Sequence, residues 1–189
     1  MVTMLSFILF SLVTNSLAQS SDLINCSSVI PMAGFQVQNY TGRWYEIEYT
    51  LNSWQTHESC TAFLYQYDAN NNTLEIRGRT LNINTRLRHQ CDGITKINND
   101  NPASMLIYLP PFALPVPINF IIVDTDYENY GAAIQCSAGE PSLPNAWLIG
   151  RKRTLDRKYI LRGERALRAN GIPTNRLVYN RHPNCPEDW

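Results

Sequence analysis

Gly42-Arg43-Trp44-Tyr45-Glu46-Ile47-Glu48-Tyr49-Thr50-Leu51 (GRWYEIEYTL) is the stretch on which the fold turns. Aromatic and β-branched residues crowd it, and such residues suit the pleated, half-buried surface of a strand. Successive side chains of an extended chain point to opposite faces, so Trp44, Glu46 and Glu48 are expected on one side. Carboxylates carried inward on that side need polar partners or water, because an unpaired buried charge is very costly.

The neighbouring segments repeat the signal. Cys60 to Tyr67 (CTAFLYQY) reads as a second strand, followed by an Asn-rich turn at Asn70, Asn71 and Asn72. From Leu74 to Thr80 the alternation is clean, with Leu74, Ile76, Gly78 and Thr80 opposite Glu75, Arg77 and Arg79. Arg86 to Cys91 follows the same pattern less clearly and puts Leu87, His89 and Cys91 on one face. Further β-runs lie at Ser104 to Leu109, Ile118 to Asp124, Gly131 to Cys136 and Ala146 to Arg151. Eight short strands separated by turn signals predict a sandwich or an up-and-down barrel. Leu155 to Asn170 breaks the pattern with apolar residues spaced at three and four, which predicts an amphipathic helix. Thr154 is its expected N-cap, and Gly171 with Pro173 its stop. Half of the 16 basic residues fall between Arg151 and Arg168, either as a solvated helix face or as a site for anionic lipid or an acidic partner. A short strand from Arg176 to Tyr179 ends the pattern.

The chain has 189 residues and is 44% apolar and 17% charged, enough for the core of one domain. Equal numbers of acidic and basic side chains leave no net field for a polyanion, which argues against a dedicated nucleic-acid binder. Met1 to Ala18 has no charged side chain and contains the apolar stretch Leu5 to Val13, too short for the ~20 residues of a membrane-spanning helix. A cleaved secretory leader over residues 1–18 is expected, with the mature domain at 19–189. The five cysteines, Cys26, Cys60, Cys91, Cys136 and Cys185, all follow it, which suits two disulfides and a leftover thiol in an oxidising compartment. Their spacing does not choose among the pairings. Asn25, Asn39 and Asn71 begin glycosylation sequons.

Catalytic groups are sparse. His57, His89 and His182 stand in no metal-ligand spacing, and no phosphate loop, nucleophile elbow or zinc-protease helix occurs. His57 and His182 are expected near the surface, and His89 in the interior or a pocket. Cys91 is the one potential nucleophile, although a buried leftover Cys is usually an inert small hydrophobe. The parity of Leu87, His89 and Cys91 turns it inward, where it is expected to be shielded. No catalytic residue, no metal and no required cofactor are expected.

Gly42-x-Trp44, the turn Thr125-Asp126-Tyr127 and Arg151 after the last long strand resemble the three sequence boxes of the lipocalin family. The longer words GRWYEIE, TDYENY and the run from Ala146 to Arg151 are similar to the branch of apolipoprotein D and the insect bilin-binding proteins. The resemblance implies an all-β fold: an eight-stranded antiparallel up-and-down barrel, a cup with one C-terminal α-helix packed outside. It assigns barrel closure to Gly42, Trp44, Thr125, Asp126, Tyr127 and Arg151, with the guanidinium stacked on the indole. It implies bridges Cys26–Cys136 and Cys60–Cys185, leaving Cys91 free. With Cys60 facing out to the tail, parity turns Phe63 and Tyr65 inward beside Ile76, Thr80, His89, Trp147 and Ile149 as ligand-binding residues.

The implied function is secreted, non-enzymatic carriage of a small hydrophobic molecule of the bilin, retinoid, steroid or fatty-acid class. A bound bilin or other lipophilic molecule would be cargo, and the oligomeric state is open. The alternative from another class is an interaction module with a vestigial cavity, and a third, more remote, is a thiol-dependent isomerase. The uncharged loop Pro110 to Pro117 (PPFALPVP) is expected at the open end, as a lid or as a contact with a lipid surface or partner.

Overall fold

The structure, a computed structural model, describes residues 26–51, 55, 57–110, 116–136, 144–182 and 184–186. The expected leader, Asn25 and the loop tip with Phe112 and Leu114 lie outside the described residues.

Strands β1 (Gly42–Thr50), β2 (Glu58–Asp68), β3 (Thr73–Asn82), β4 (Arg88–Lys96), β5 (Ser104–Ile107), β6 (Ile118–Thr125), β7 (Tyr130–Cys136) and β8 (Asn145–Gly150) pair antiparallel. The order β4-β3-β2-β1-β8-β7-β6-β5 is the up-and-down meander, wrapped around so that its two ends meet. They meet at a single bridge, where Ile94 and Tyr108 exchange two backbone hydrogen bonds of 3.0 and 2.8 Å. This bridge nearly closes the barrel and shortens the free edges that an open sheet would present. A final strand, β9 (Leu177–Tyr179), is added to the upper part of β1, alongside Glu48 to Thr50.

Two bulges change which way the side chains point. In β1 the register slips between Glu46 and Glu48, so Glu48 turns out toward the helix and Tyr49 takes the inner face with its partner Trp147. The expectation that Glu46 and Glu48 share a face is thus corrected: only Glu46 points inward. In β2 the register slips between Ser59 and Ala62, with Cys60 at φ 56°. That extra residue keeps Thr61, Phe63 and Tyr65 inward and also turns Glu58 inward, against simple alternation from Phe63.

The β3–β4 hairpin is longer than the sequence suggests. Asn82 closes it by accepting Asn84 and Thr85 amides on its side chain, and Arg86 sits at φ 61°. Leu87 therefore lies in the turn and is exposed, so the parity that would bury it does not apply.

Helix α2 (Arg157–Ala169) lies against β6, β7 and β8 through Tyr159, Ile160, Gly163, Ala166 and Leu167. A Cβ on Gly163 would collide with Leu148, so this glycine sets how closely helix and sheet approach. The N-cap is Asp156 and not Thr154, because residues 151–154 form a bend before the helix starts. Arg162 reaches Asp124 at 3.5 Å, and Arg168 reaches Glu164 at 3.8 Å, so part of the basic face is paired locally. Among the described residues no helix is long and apolar enough to cross a membrane.

Candidate functional site

The closed end is built around Trp44, which is completely buried. The short helix α1 (Val37–Tyr40) runs beneath it, and the indole Nε1 donates to the Tyr40 carbonyl at 2.8 Å. The Arg151 guanidinium lies 3.7 Å from the centroid of the Trp44 ring. It donates to the carbonyls of Tyr127 (2.9 Å), Thr41 (2.8 Å), Arg43 (3.0 Å) and Asn39 (3.2 Å). One planar fork thereby ties the entry to β1, the β6–β7 turn and the end of β8. Gly42 is required on two counts: its φ is 94°, and a Cβ there would come within 3.2 Å of Arg151 Nη1.

Thr125, Asp126 and Tyr127 shape the β6–β7 turn for that fork. Asp126 Oδ1 accepts the backbone N–H groups of Glu128, Asn129 and Tyr130. Burial would raise the Asp126 pKa, but these bonds and the one from Asn129 Nδ2 hold it below the usual carboxylate value. Thr125 donates to the Tyr130 carbonyl and accepts the Tyr127 N–H. Tyr127, at φ 65°, then offers its own carbonyl to Arg151 and its hydroxyl to the Gln36 N–H.

Above this floor is a cavity of about 670 Å³ lined by Phe63, Tyr65, Ile76, Trp147 and Ile149 among others. These are five of the seven residues expected to line it. The sequence reading overlooked Ile118 and Phe120 on β6 and Ala133 and Gln135 on β7, whose own period-two spacing carried the signal. Trp147 lies against Phe120 with ring centroids 5.8 Å apart, and its buried Nε1 neighbours the Glu46 carboxyl. Its ring forms part of the cavity wall and is placed to meet a guest molecule.

A family profile described as Lipocalin-like domain matches residues 35–182. The chain is a lipocalin. Mouse apolipoprotein D is 31% identical over 99% of each chain, and the crustacyanin A1 subunit of Homarus gammarus is 26% identical over 79% of this chain and 81% of its own. The crystal structure of lobster apocrustacyanin A1 superposes with a TM-score of 0.68 at 21% identity, covering 80% of this chain and 82% of that one. This lipocalin falls in the branch that the sequence words pointed to.

The remaining two expected ligand residues are elsewhere. Thr80 and His89 line a smaller side chamber of about 220 Å³, walled also by Gln55, Glu58 and Thr61. It shares Phe63, Gly78 and Cys91 with the main cavity. His89 is not an interior residue, since its side chain is 52% exposed and its Nδ1 lies 3.3 Å from Glu58. Cys91 faces both chambers but is exposed, which corrects the expectation of a shielded thiol. Burial of part of its surface and the neighbouring Asp92 push the thiol pKa up, so the thiolate is disfavoured.

The disulfides Cys26–Cys136 and Cys60–Cys185 span 110 and 125 residues of sequence. The second fixes the C-terminal tail on the outer face of β2, where the tail completes an interior polar cluster. Asn180 donates to Glu46 Oε1 at 2.7 Å, and Gln55 donates to Glu46 Oε2 at 2.7 Å. His182 donates from Nε2 to the Glu46 carbonyl at 2.6 Å and is half-buried, not the surface residue expected from sequence. Neither Asn180 nor Gln55 bore any sequence signal. Asn39 and Asn71 are exposed sequon residues whose side-chain amides donate to Gln36 and Asp68. Among the described residues no three His, Cys, Asp or Glu side chains group as metal ligands.

Burial lifts the Glu46 pKa to about 7, although Asn180, Gln55, Thr61 and Trp147 beside the carboxyl pull the other way. Burial and the nearby Glu164 likewise lift Glu48 to about 7. A carboxyl whose pKa is higher folded than unfolded binds its proton more tightly in the folded state, so its ionisation opposes folding. Stability is therefore expected to fall as pH rises from about 4.5 through 7. Glu46→Gln should flatten that fall by on the order of 2–3 kcal/mol between pH 5 and 8. Thermal unfolding of both proteins across this range measures it, and a parallel pH dependence would refute the assignment to Glu46.

Proposed function

We propose that this lipocalin is exported and carries a small hydrophobic molecule in its barrel. Members of the family bind small hydrophobic ligands, and the observation that extends this to the present chain is the cavity itself. It is roughly 670 Å³ of mostly apolar and aromatic wall with Trp147 exposed to it, within the size range of small-molecule sites. Binding would come from removing apolar ligand surface from water at ~25 cal/mol per Å², less the cost of ordering. The uncharged stretch Met1 to Ala18 and the two disulfides support export, with cleavage expected near Gln19. Carriage and not catalysis is favoured by the disfavoured thiolate of Cys91, the residue on which an isomerase would depend. Titration with bilin, retinoid, steroid and fatty-acid ligands, read by tryptophan fluorescence, tests the carrier function. Saturable binding is expected, and no binding by any of them would overturn it.

A further inference from the structure

More polar residues surround the side chamber than the main cavity, and their hydrogen-bond inventory is lopsided. The amide and hydroxyl groups of its wall donate to the protein itself. Gln55 donates to Glu46, Thr80 to the Ser59 carbonyl at 3.1 Å, and Gln90 to Asp92 at 2.8 Å. Asn82 donates to Glu58 Oε1 at 3.2 Å, and His89 lies 3.3 Å from the same oxygen.

What is left over is an acceptor. Glu58 lines the chamber with a side chain only 9% exposed, and its Oε2 is buried without any hydrogen-bond partner. A carboxylate oxygen shut away from water and unpaired is costly, and natural interiors almost always supply it with a donor. The β2 bulge at Cys60 is what turns this carboxylate into the barrel, next to a cavity that the protein leaves unfilled. Arg79 also borders the chamber, but it belongs to the outward parity of β3 and is exposed to solvent.

We propose that Glu58 receives the polar head of the carried molecule, and that this head is a hydrogen-bond donor, a hydroxyl or a protonated amine, and not a carboxylate. The inference rests on the carrier function and narrows its ligand class to apolar molecules ending in an alcohol or amine. The apolar body would occupy the main cavity, and the head the adjoining chamber past Phe63, Gly78 and Cys91. A carboxylate head would meet Glu58 with no donor to offer and like charge against it.

Three straight-chain compounds with one body and different heads test this: dodecanol, dodecylamine and dodecanoate, each displacing Nile red from the intact protein at pH 7.4. The alcohol or the amine should bind at least tenfold more tightly than the acid. Glu58→Gln, which keeps an acceptor but removes the charge, should preserve an alcohol preference and weaken an amine preference at least fivefold, so it tells the two heads apart. Glu58→Met should bring alcohol, amine and acid to within about twofold of one another. Equal binding of the three by the wild type, tighter binding of dodecanoate, or an unchanged ranking in Glu58→Met would overturn the head-group inference and leave the carrier function standing. Failure of Nile red and all three compounds to bind would overturn both.

Discussion

Serine at both Cys60 and Cys185 is expected to lower the unfolding free energy by about 4 kcal/mol, the largest effect of any change away from the barrel floor. The bridge joins residues 125 apart, and chain-entropy estimates for closing loops of that length reach ~4–5 kcal/mol. Its loss also acts locally. The tail from Leu177 to Cys185 is held to the barrel by β9 on β1, by the Asn180 N–H to the Ile47 carbonyl and by the bridge. Without the covalent tie, Asn180 and His182 can leave Glu46, whose buried carboxyl then loses the Asn180 donor and whose main-chain carbonyl loses His182. Urea unfolding measures the loss. A change under about 1 kcal/mol would mean that the tail is held without the bridge, and non-reducing peptide mapping that paired Cys91 with any other cysteine would contradict the assignment directly.

Trp44→Ala should cost about 3–5 kcal/mol, the range for removing a large aromatic from a core that cannot collapse around the space. Trp44 is wholly buried between Tyr40, Phe63 and the Arg151 guanidinium, and the substitution leaves the Tyr40 carbonyl without its indole donor. Arg151→Lys isolates the fork from the charge. Lysine keeps the cation but cannot serve four carbonyls on two segments at once, so a loss of about 1–3 kcal/mol is expected. Calorimetry on the three proteins decides it. A lysine variant as stable as the wild type would show that charge alone closes the barrel.

How much of this was legible before the fold was known depended on local pattern. Strands β1, β3, β6, β7 and β8 announced themselves by alternation and aromatic content, and the helix by its spacing, because each signal is contained within a single element. The floor residues were legible through the resemblance, and their geometry explains the residue types: a positive φ at Gly42, an acceptor-rich turn at Asp126, a planar cation at Arg151. Alternation failed at the bulges. One inserted residue in β1 sends Glu48 outward, and one in β2 brings Glu58 inward, yet neither insertion has a sequence mark. The polar cluster was illegible for another reason. Gln55, Thr61 and Asn180 meet Glu46 only through tertiary contacts, Asn180 from 134 residues away, and nothing in their local sequence distinguishes them from surface polar residues. Cys91 was placed on the correct face but given the wrong burial, and His89, read as interior or pocket-lining, lines the side chamber while half exposed, since face follows from parity whereas exposure depends on how open the barrel is beside β4.

Trp147 offers the most direct measurement on the central claim, that the barrel is a working cup. The chain has four tryptophans, of which Trp44 is sealed in the floor and Trp147 faces the main cavity. Fluorescence titration of the wild type and of Trp147→Phe with the same panel of bilin, retinoid, steroid and fatty-acid ligands is therefore the test. At least one ligand should bind with a Kd below ~10 μM, about −7 kcal/mol. Most of the quenching should vanish in Trp147→Phe, while the affinity, followed by a signal from the ligand itself, stays within a few-fold. Saturable quenching that survives unchanged in Trp147→Phe, or no saturable binding by any ligand, would contradict the account.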